Sequence, residues 1–229
     1  FYPLTFFKSR FTAASMVSGN GMSHLYLGNA LNGSSPRRSD WQRRSPWEVL
    51  VTRPDRLVDR LLEQEAVDIV AGQYSDGSIG VRSRRGEGVI SAGSTFRYKI
   101  IGTDPFGYES LPPTMTERES LERTFATNYP DALMQLAQIF RSARTGDLVV
   151  SARRGYDLRQ RHEHPEHKSS HGSLDREHMM IPFVTNASLP AQPVRSVDVF
   201  PTILQLLGEK VPEGIDGVSL ITPPNPLLS

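Results

Sequence analysis

One stretch decides the fold class of this chain: DLVVSA, at residues 147–152. Its uninterrupted apolar residues predict a central strand that is buried on both faces of a sheet. A polar loop over 153–175 follows, and the apolar run at 181–186 predicts a second buried strand. A helix over about 199–207, with Asp198 as its N-cap, completes a strand, loop, strand, helix pattern. That order is typical of an α/β sheet.

The first hundred residues predict a smaller α+β arrangement. A glycine-rich turn leads into a strand within 15–27, and leucines at three-to-four spacing predict a helix over about 54–64. A strand at 67–71 then begins a meander. Its first turn is SDGS at residues 75–78, where the Asp-Gly pair supplies positive φ. A further strand at 96–100 closes the meander.

Prolines at residues 112 and 113 mark a connector, and helices follow it. Thr116 and Glu119 have the spacing of a capping box. A second helix begins near 129–131 and carries a row of apolar residues on one face. We therefore predict an inserted, cap-like α+β subdomain over 1–112 and a second domain over 113–229.

Composition excludes several classes of function. The 229 residues are 38% hydrophobic and 22% charged, which is typical of a globular protein. A net charge of +1 gives no sign of a nucleic-acid partner. Because there is no cysteine, disulfides, zinc–thiolate sites and cysteine nucleophiles are excluded. No run of apolar residues approaches the roughly 20 that a transmembrane segment needs. The sequence assigns neither a compartment nor an oligomeric state.

Histidines are concentrated on the loop that follows the 147–152 strand. Sites in open α/β sheets lie beyond the carboxyl ends of strands, and imidazoles suit zinc and similar ions. The spacing does not match a HExxH helix or another self-contained site. His171 is either a metal ligand, since Gly172 beside it lets backbone or substrate approach closely, or a solvated surface residue. Five of the six histidines form this group: His162, His164, His167, His171 and His178.

Other candidate chemistry has ordinary structural explanations. The run GNGM at 19–22 lacks the third glycine and the helix of a nucleotide-binding turn, and no P-loop or nucleophile elbow is present. Asp157 is either a catalytic carboxylate or, more commonly for such a position, a loop cap. Four arginines on a polar loop either hold an anionic substrate or are simply solvated: Arg37, Arg38, Arg43 and Arg44.

Taken together, these motifs resemble the C-terminal part of the alkaline-phosphatase superfamily, in particular its type I phosphodiesterase/nucleotide pyrophosphatase branch. The most specific segment is 197–220, a VDVFPTIL helix followed by PEGIDGVSL. GDLVV at 146–150 and SHGSL at 170–174 add to the resemblance. It implies a central sheet sandwiched by helices, with the 1–112 subdomain inserted. Sulfatases and phosphomutases share this scaffold, and fold does not fix function.

The resemblance also implies a metal-dependent phosphoesterase. Members of the family use a Ser or Thr nucleophile and two zinc-like ions to hydrolyse phosphodiester or phosphomonoester bonds. The histidine of their late His-Gly pair is a metal ligand, and His171 occupies that position. The implied cofactors are two zinc ions, and the implied partner is a small phosphate ester.

Several family motifs have no counterpart here: the nucleophile, an early metal-binding aspartate, an Asp-x-x-x-His pair and an Asp-His-Gly triplet. We expect them upstream, in a longer protein of which this chain is a fragment that is inactive alone. Placing the triplet at 19–21 instead would mean lost ligands and a pseudoenzyme. A non-catalytic module on the same fold, binding an anion or a protein, is the alternative.

Overall fold

A computed structural model of the chain describes residues 12–28, 41, 43–159, 168–190 and 192–221. The chain forms two compact units, which divide between Ile181 and Pro182. None of the described helices is long and apolar enough to cross a membrane.

The first unit is built on one open sheet of eight strands in the order β1-β2-β8-β3-β4-β5-β6-β7. Every neighbouring pair is antiparallel. The predicted strand at 147–152 is therefore confirmed as a central one, between β2 and β3. The strands are β1 (Ala13–Ser18), β2 (Met22–Leu27), β3 (Val67–Gln73), β4 (Ile79–Ser83), β5 (Glu87–Ala92), β6 (Phe96–Ile101), β7 (Thr114–Met115) and β8 (Leu148–Ala152).

Five of the described helices belong to this unit, and two of them, α3 and α5, begin at a side-chain cap. The predicted capping box is present, since Thr116 N donates to Glu119 Oε2 at 2.8 Å and Glu119 N donates to Thr116 Oγ1 at 3.2 Å. The helices predicted near 54–64 and after 131 are also confirmed. The five are α1 (Trp47–Val51), α2 (Leu57–Glu63), α3 (Glu117–Thr124), α4 (Ala132–Arg141) and α5 (Arg176–Met179).

The central strands are buried on both faces. Ile69 of β3 and Val149 of β8 pack in one apolar cluster with residues of α4. Their neighbours Val70 and Val150 pack in a second cluster with residues of α1 and α2. Because successive strand residues point to opposite faces, this alternation means that helices cover both sides of the sheet. The class is a mixed α/β protein, as predicted.

The amino-terminal strand differs from the prediction. The sequence predicted one strand within 15–27, whereas the structure has a hairpin of β1 and β2. The turn between them places Gly19 at φ +67° and Asn20 at φ +65°. Asparagine tolerates this left-handed conformation better than most residues, which is why the chain reverses at this point.

Strands from both halves of the chain share the sheet. β8 lies beyond residue 112 in sequence, yet it pairs with β2 and β3 from the first hundred residues. Strands on both sides of residue 112 therefore belong to one sheet. The assignment of residues 1–112 to an inserted subdomain, and of 113–229 to a second domain, stays a prediction.

The strand predicted at 181–186 is wrong. This segment has no regular secondary structure. Ile181 is 69% exposed and Val184 is 91% exposed. A short apolar run becomes a buried strand only where a neighbouring strand pairs with it, and Pro182 has no amide hydrogen to donate.

The second unit contains α6 (Val199–Leu206), preceded by a 3₁₀ turn at Ser196–Asp198. Asp198 precedes α6 as predicted, but its carboxylate does not cap the first turn of that helix. It accepts instead from the amides of Arg195 and Val218, each at 3.0 Å. Thr202 Oγ1 accepts from Leu220 N at 3.0 Å. The Asp and Thr of the 197–220 motif therefore hold its closing segment against α6.

Candidate functional site

His171 lies at the sheet end where β8 finishes and β2 begins. Its amide donates to the carbonyl oxygen of Gly19 at 3.0 Å, and its own carbonyl accepts from Gly21 N at 2.8 Å. These bonds form an isolated parallel bridge between Asn20 and His171. The His171 residue is exposed. The backbone is thus fixed while the residue stays open to solvent.

Two glycines make this approach possible. A Cβ on Gly19 would overlap the imidazole ring of His171. A Cβ on Gly21 would lie 2.7 Å from the carbonyl oxygen of His171 and 2.7 Å from the amide nitrogen of Ser173. Side chains larger than hydrogen would therefore push the 171–173 segment away from the hairpin.

Asn20 is the residue at this site that the sequence analysis missed. It is only 2% exposed, and its Oδ1 has no hydrogen-bond partner in the part of the chain described. A buried polar atom without a partner is costly and calls for a physical account. An amide oxygen can bind a metal ion, although it suits harder ions better than zinc. The signal available in the sequence was an asparagine between two glycines, a pattern that favours positive φ.

The segment after His171 is anchored in the core. Ser173 is buried, and its Oγ lies 2.7 Å from His178 Nδ1. Leu174 N donates to Ser151 Oγ of β8 at 3.0 Å. A Cβ on Gly21 would also lie 2.9 Å from His178 Nδ1, so this ring faces the same turn as His171. The carbonyl group of His171 and the ring of His178 thus both lie against Gly21, and His178 braces the loop through Ser173.

The remaining predicted residues lie elsewhere. His162, His164, His167, Arg37 and Arg38 fall outside the described residues. Asp157 Oδ1 accepts from the amide of Arg159 at 2.7 Å, which is the loop-capping role. Arg44 donates to the carbonyl oxygen of Ser142 at 2.8 Å, so it braces the end of α4. Arg43 lines a surface cleft with Trp41 and Arg144.

His24, the sixth histidine, has a structural role. It lies on β2, and its Nδ1 accepts from Gly146 N at 3.3 Å. Burial lowers the pKa of His24, and the nearby positive charge of Arg44 lowers it further.

A cavity of about 430 Å³ adjoins the His171 loop. Gly172, Ser173 and His178 line one side of it, and side chains of α4 line the other. Its apolar walls come mainly from Met22, Leu136, Ile139, Leu174 and Met179. This volume is within the range of small-molecule sites.

The donors in the described residues do not complete a metal site. His171 offers a nitrogen and Asn20 an oxygen at one turn. Among the described residues, no group of three or more His, Cys, Asp or Glu side chains could hold an ion. A catalytic zinc ion needs about three protein ligands. Further ligands would have to come from residues outside the described ranges.

Comparison with known proteins found no family model, no curated protein and no solved structure that matches this chain.

Proposed function

We propose that this chain is the C-terminal part of a metal-dependent phosphoesterase of the alkaline-phosphatase superfamily, with His171 as a ligand of one of two zinc ions. The observation that carries the proposal is the fixed backbone of His171 beside its exposed imidazole, at the end of a central strand. The alkaline-phosphatase-like form of the sheet is part of the proposal.

Bound zinc would activate a Ser or Thr nucleophile and neutralise charge on the phosphoryl oxygens. The role of this chain is to hold His171 in place and to leave its ring free. The nucleophile and the other zinc ligands belong, on this proposal, to sequence upstream. The cavity beside Gly172 gives room for the organic part of a small phosphate ester.

Hydrolysis by the full-length protein tests the proposal. We expect turnover of p-nitrophenyl phosphate or of bis(p-nitrophenyl) phosphate, and a loss of at least about a hundredfold in His171→Ala, since even residues that only support a ligand cost 10–100-fold. His24→Gln is the matched control, because that histidine lies on β2, outside the site. Equal rates in His171→Ala and wild type would overturn the assignment.

A second candidate is a non-catalytic module or pseudoenzyme on the same fold. The observation that favours it is the position of Gly19, Asn20 and Gly21 directly against His171. If the metal-binding Asp-His-Gly triplet of the family corresponds to this turn, two ligands have been replaced. A full-length protein that binds no zinc and hydrolyses neither ester would support this candidate against the phosphoesterase.

A further inference from the structure

A second cavity, of about 330 Å³, contains four arginines. It lies at the start of β3 and the end of β4, and the residues that follow β8 close it. Asp68 and Tyr129 lie within it, and Asp175 lines its edge. The arginines are Arg84, Arg85, Arg153 and Arg154, and we call this cavity the arginine pocket.

Two of these arginines already have partners. Arg84 Nε donates to the carbonyl oxygen of Leu62 at 2.7 Å, and its Nη2 donates to that of Gln64 at 2.6 Å. Arg154 forms an ion pair with Glu177. These contacts fix Arg84 and Arg154 in two walls of the arginine pocket. The guanidinium groups of these two arginines are therefore less available for a ligand.

The other two arginines have no such partner. Within the described residues, the side chains of Arg85 and Arg153 make no hydrogen bond or ion pair. Gly107, at φ +67°, leaves the space that the Arg85 guanidinium occupies, because a Cβ there would overlap it. Both residues are exposed, so a solute can reach them.

One carboxylate of the arginine pocket, Asp68, lies on β3, between the strands that precede the two arginines. Asp68 Oδ2 accepts from Tyr129 Oη at 2.8 Å. Burial raises the pKa of Asp68; the Tyr129 hydrogen bond, Arg153 and Arg85 lower it, and the charge of Asp175 raises it further. Burial therefore counts for more in the pKa of Asp68 than the charges of the two guanidinium groups do.

The positions of the two arginines favour a tetrahedral anion. Arg85 follows β4 and Arg153 follows β8, and these strands flank β3 on opposite sides. The two side chains therefore leave the backbone about 10 Å apart, at two strand spacings. A carboxylate presents its two oxygens in one plane to one guanidinium, whereas phosphate presents oxygens to both.

We propose that the arginine pocket binds a phosphate group through Arg85 and Arg153, either as free phosphate or as the phosphate of a small monoester. This site does not include His171 and needs no metal ion.

Titration calorimetry at low ionic strength, with EDTA present, tests the proposal. Inorganic phosphate is the first probe. We expect Arg85→Gln and Arg153→Gln each to weaken binding about tenfold, since each loses charge-assisted hydrogen bonds, and the double variant to lose it. Arg97→Gln is the matched control, an exposed arginine on β6. All variants must keep the unfolding midpoint of the wild type. We expect them to do so, because the substituted arginines are exposed.

Further measurements distinguish free phosphate from a phosphate monoester as the ligand, and the arginine pocket from the His171 site. Equal affinity for phosphate and glycerol 3-phosphate supports free phosphate as the ligand, and tighter ester binding supports a monoester. Phosphate binding that is undetectable, equal in Arg85→Gln and wild type, or matched by acetate overturns the proposal. His171→Ala should leave phosphate binding in EDTA unchanged, and a loss there would place the anion at the His171 site and overturn the arginine pocket.

Discussion

The amide nitrogen of Gly21 lies 2.8 Å from the carbonyl oxygen of His171, so the proposed metal ligand is tied to the β1–β2 turn. The two residues are 150 positions apart in sequence. Their bond brings a polar loop from the second half of the chain to the first hairpin. The position of His171 therefore depends on how closely this hairpin can approach the 171–173 segment.

A side chain at residue 21 should break this contact. Gly21→Ala places a Cβ 2.7 Å from the His171 carbonyl oxygen, and we expect the free energy of unfolding to fall by about 1–3 kcal/mol, the usual cost of overpacking. Urea unfolding measures this. Gly93→Ala is the control, because its Cβ would meet nothing closer than 4.0 Å. Equal losses in the two variants would contradict the account of the turn.

Asp68→Asn should change how stability depends on pH. Burial raises the pKa of Asp68 in the folded protein above its ordinary value of 3.8. The stability associated with the protonated carboxyl is therefore fully present below pH 3.8 and is lost as pH rises through the folded pKa. The amide cannot ionise and can still accept from Tyr129. We expect the stability of Asp68→Asn relative to wild type to be greater at pH 7 than at pH 3.5.

Chemical denaturation across this pH range provides the measurement. Tyr129→Phe supplies a second variant, because the hydrogen bond from Tyr129 lowers the pKa of Asp68. Removal of this hydrogen bond should raise the pKa of Asp68 further, so the loss of stability should extend to higher pH. A difference between Asp68→Asn and wild type that stays constant with pH would show that burial of this carboxylate does not perturb its ionisation.

In the second unit, Asp198→Ala should release the closing segment. The carboxylate is buried and accepts from two amides, so its removal leaves both donors without that partner. We expect a local loss of about 1–3 kcal/mol, read as faster hydrogen exchange at the amide of Val218. Asp216→Ala is the control, since Asp216 is exposed. Unchanged exchange at Val218 in Asp198→Ala would be evidence against this role.

Local signals in the sequence predicted much of the secondary structure. The capping box of Thr116 and Glu119 and the Asp-Gly turn at 75–78 each form from interactions within a few residues, and the apolar run of β8 indicated a strand buried on both faces. The run at 181–186 had the same composition as a buried strand, yet Val184 is 91% exposed. β8 pairs with a strand on each side, whereas the segment 181–186 has no regular secondary structure. The sequence of a single segment cannot specify whether it finds a pairing partner.

Long-range pairing explains what the sequence did not predict at the site. His171 was a candidate because of the glycine beside it, but its bridge to Asn20 joins segments that nothing local connects. The insertion of β8 between β2 and β3 has the same origin. The arginine pocket likewise gathers residues from several strand ends, and the arginines that the sequence analysis selected were different ones.

Zinc content of the purified full-length protein tests the central claim most directly. We predict two zinc ions per chain in wild type and in His24→Gln, and one in His171→Ala, because a site that loses one of about three protein ligands no longer retains its ion. Two ions retained by His171→Ala would contradict the assignment of His171, and a wild-type protein without zinc would contradict the phosphoesterase itself.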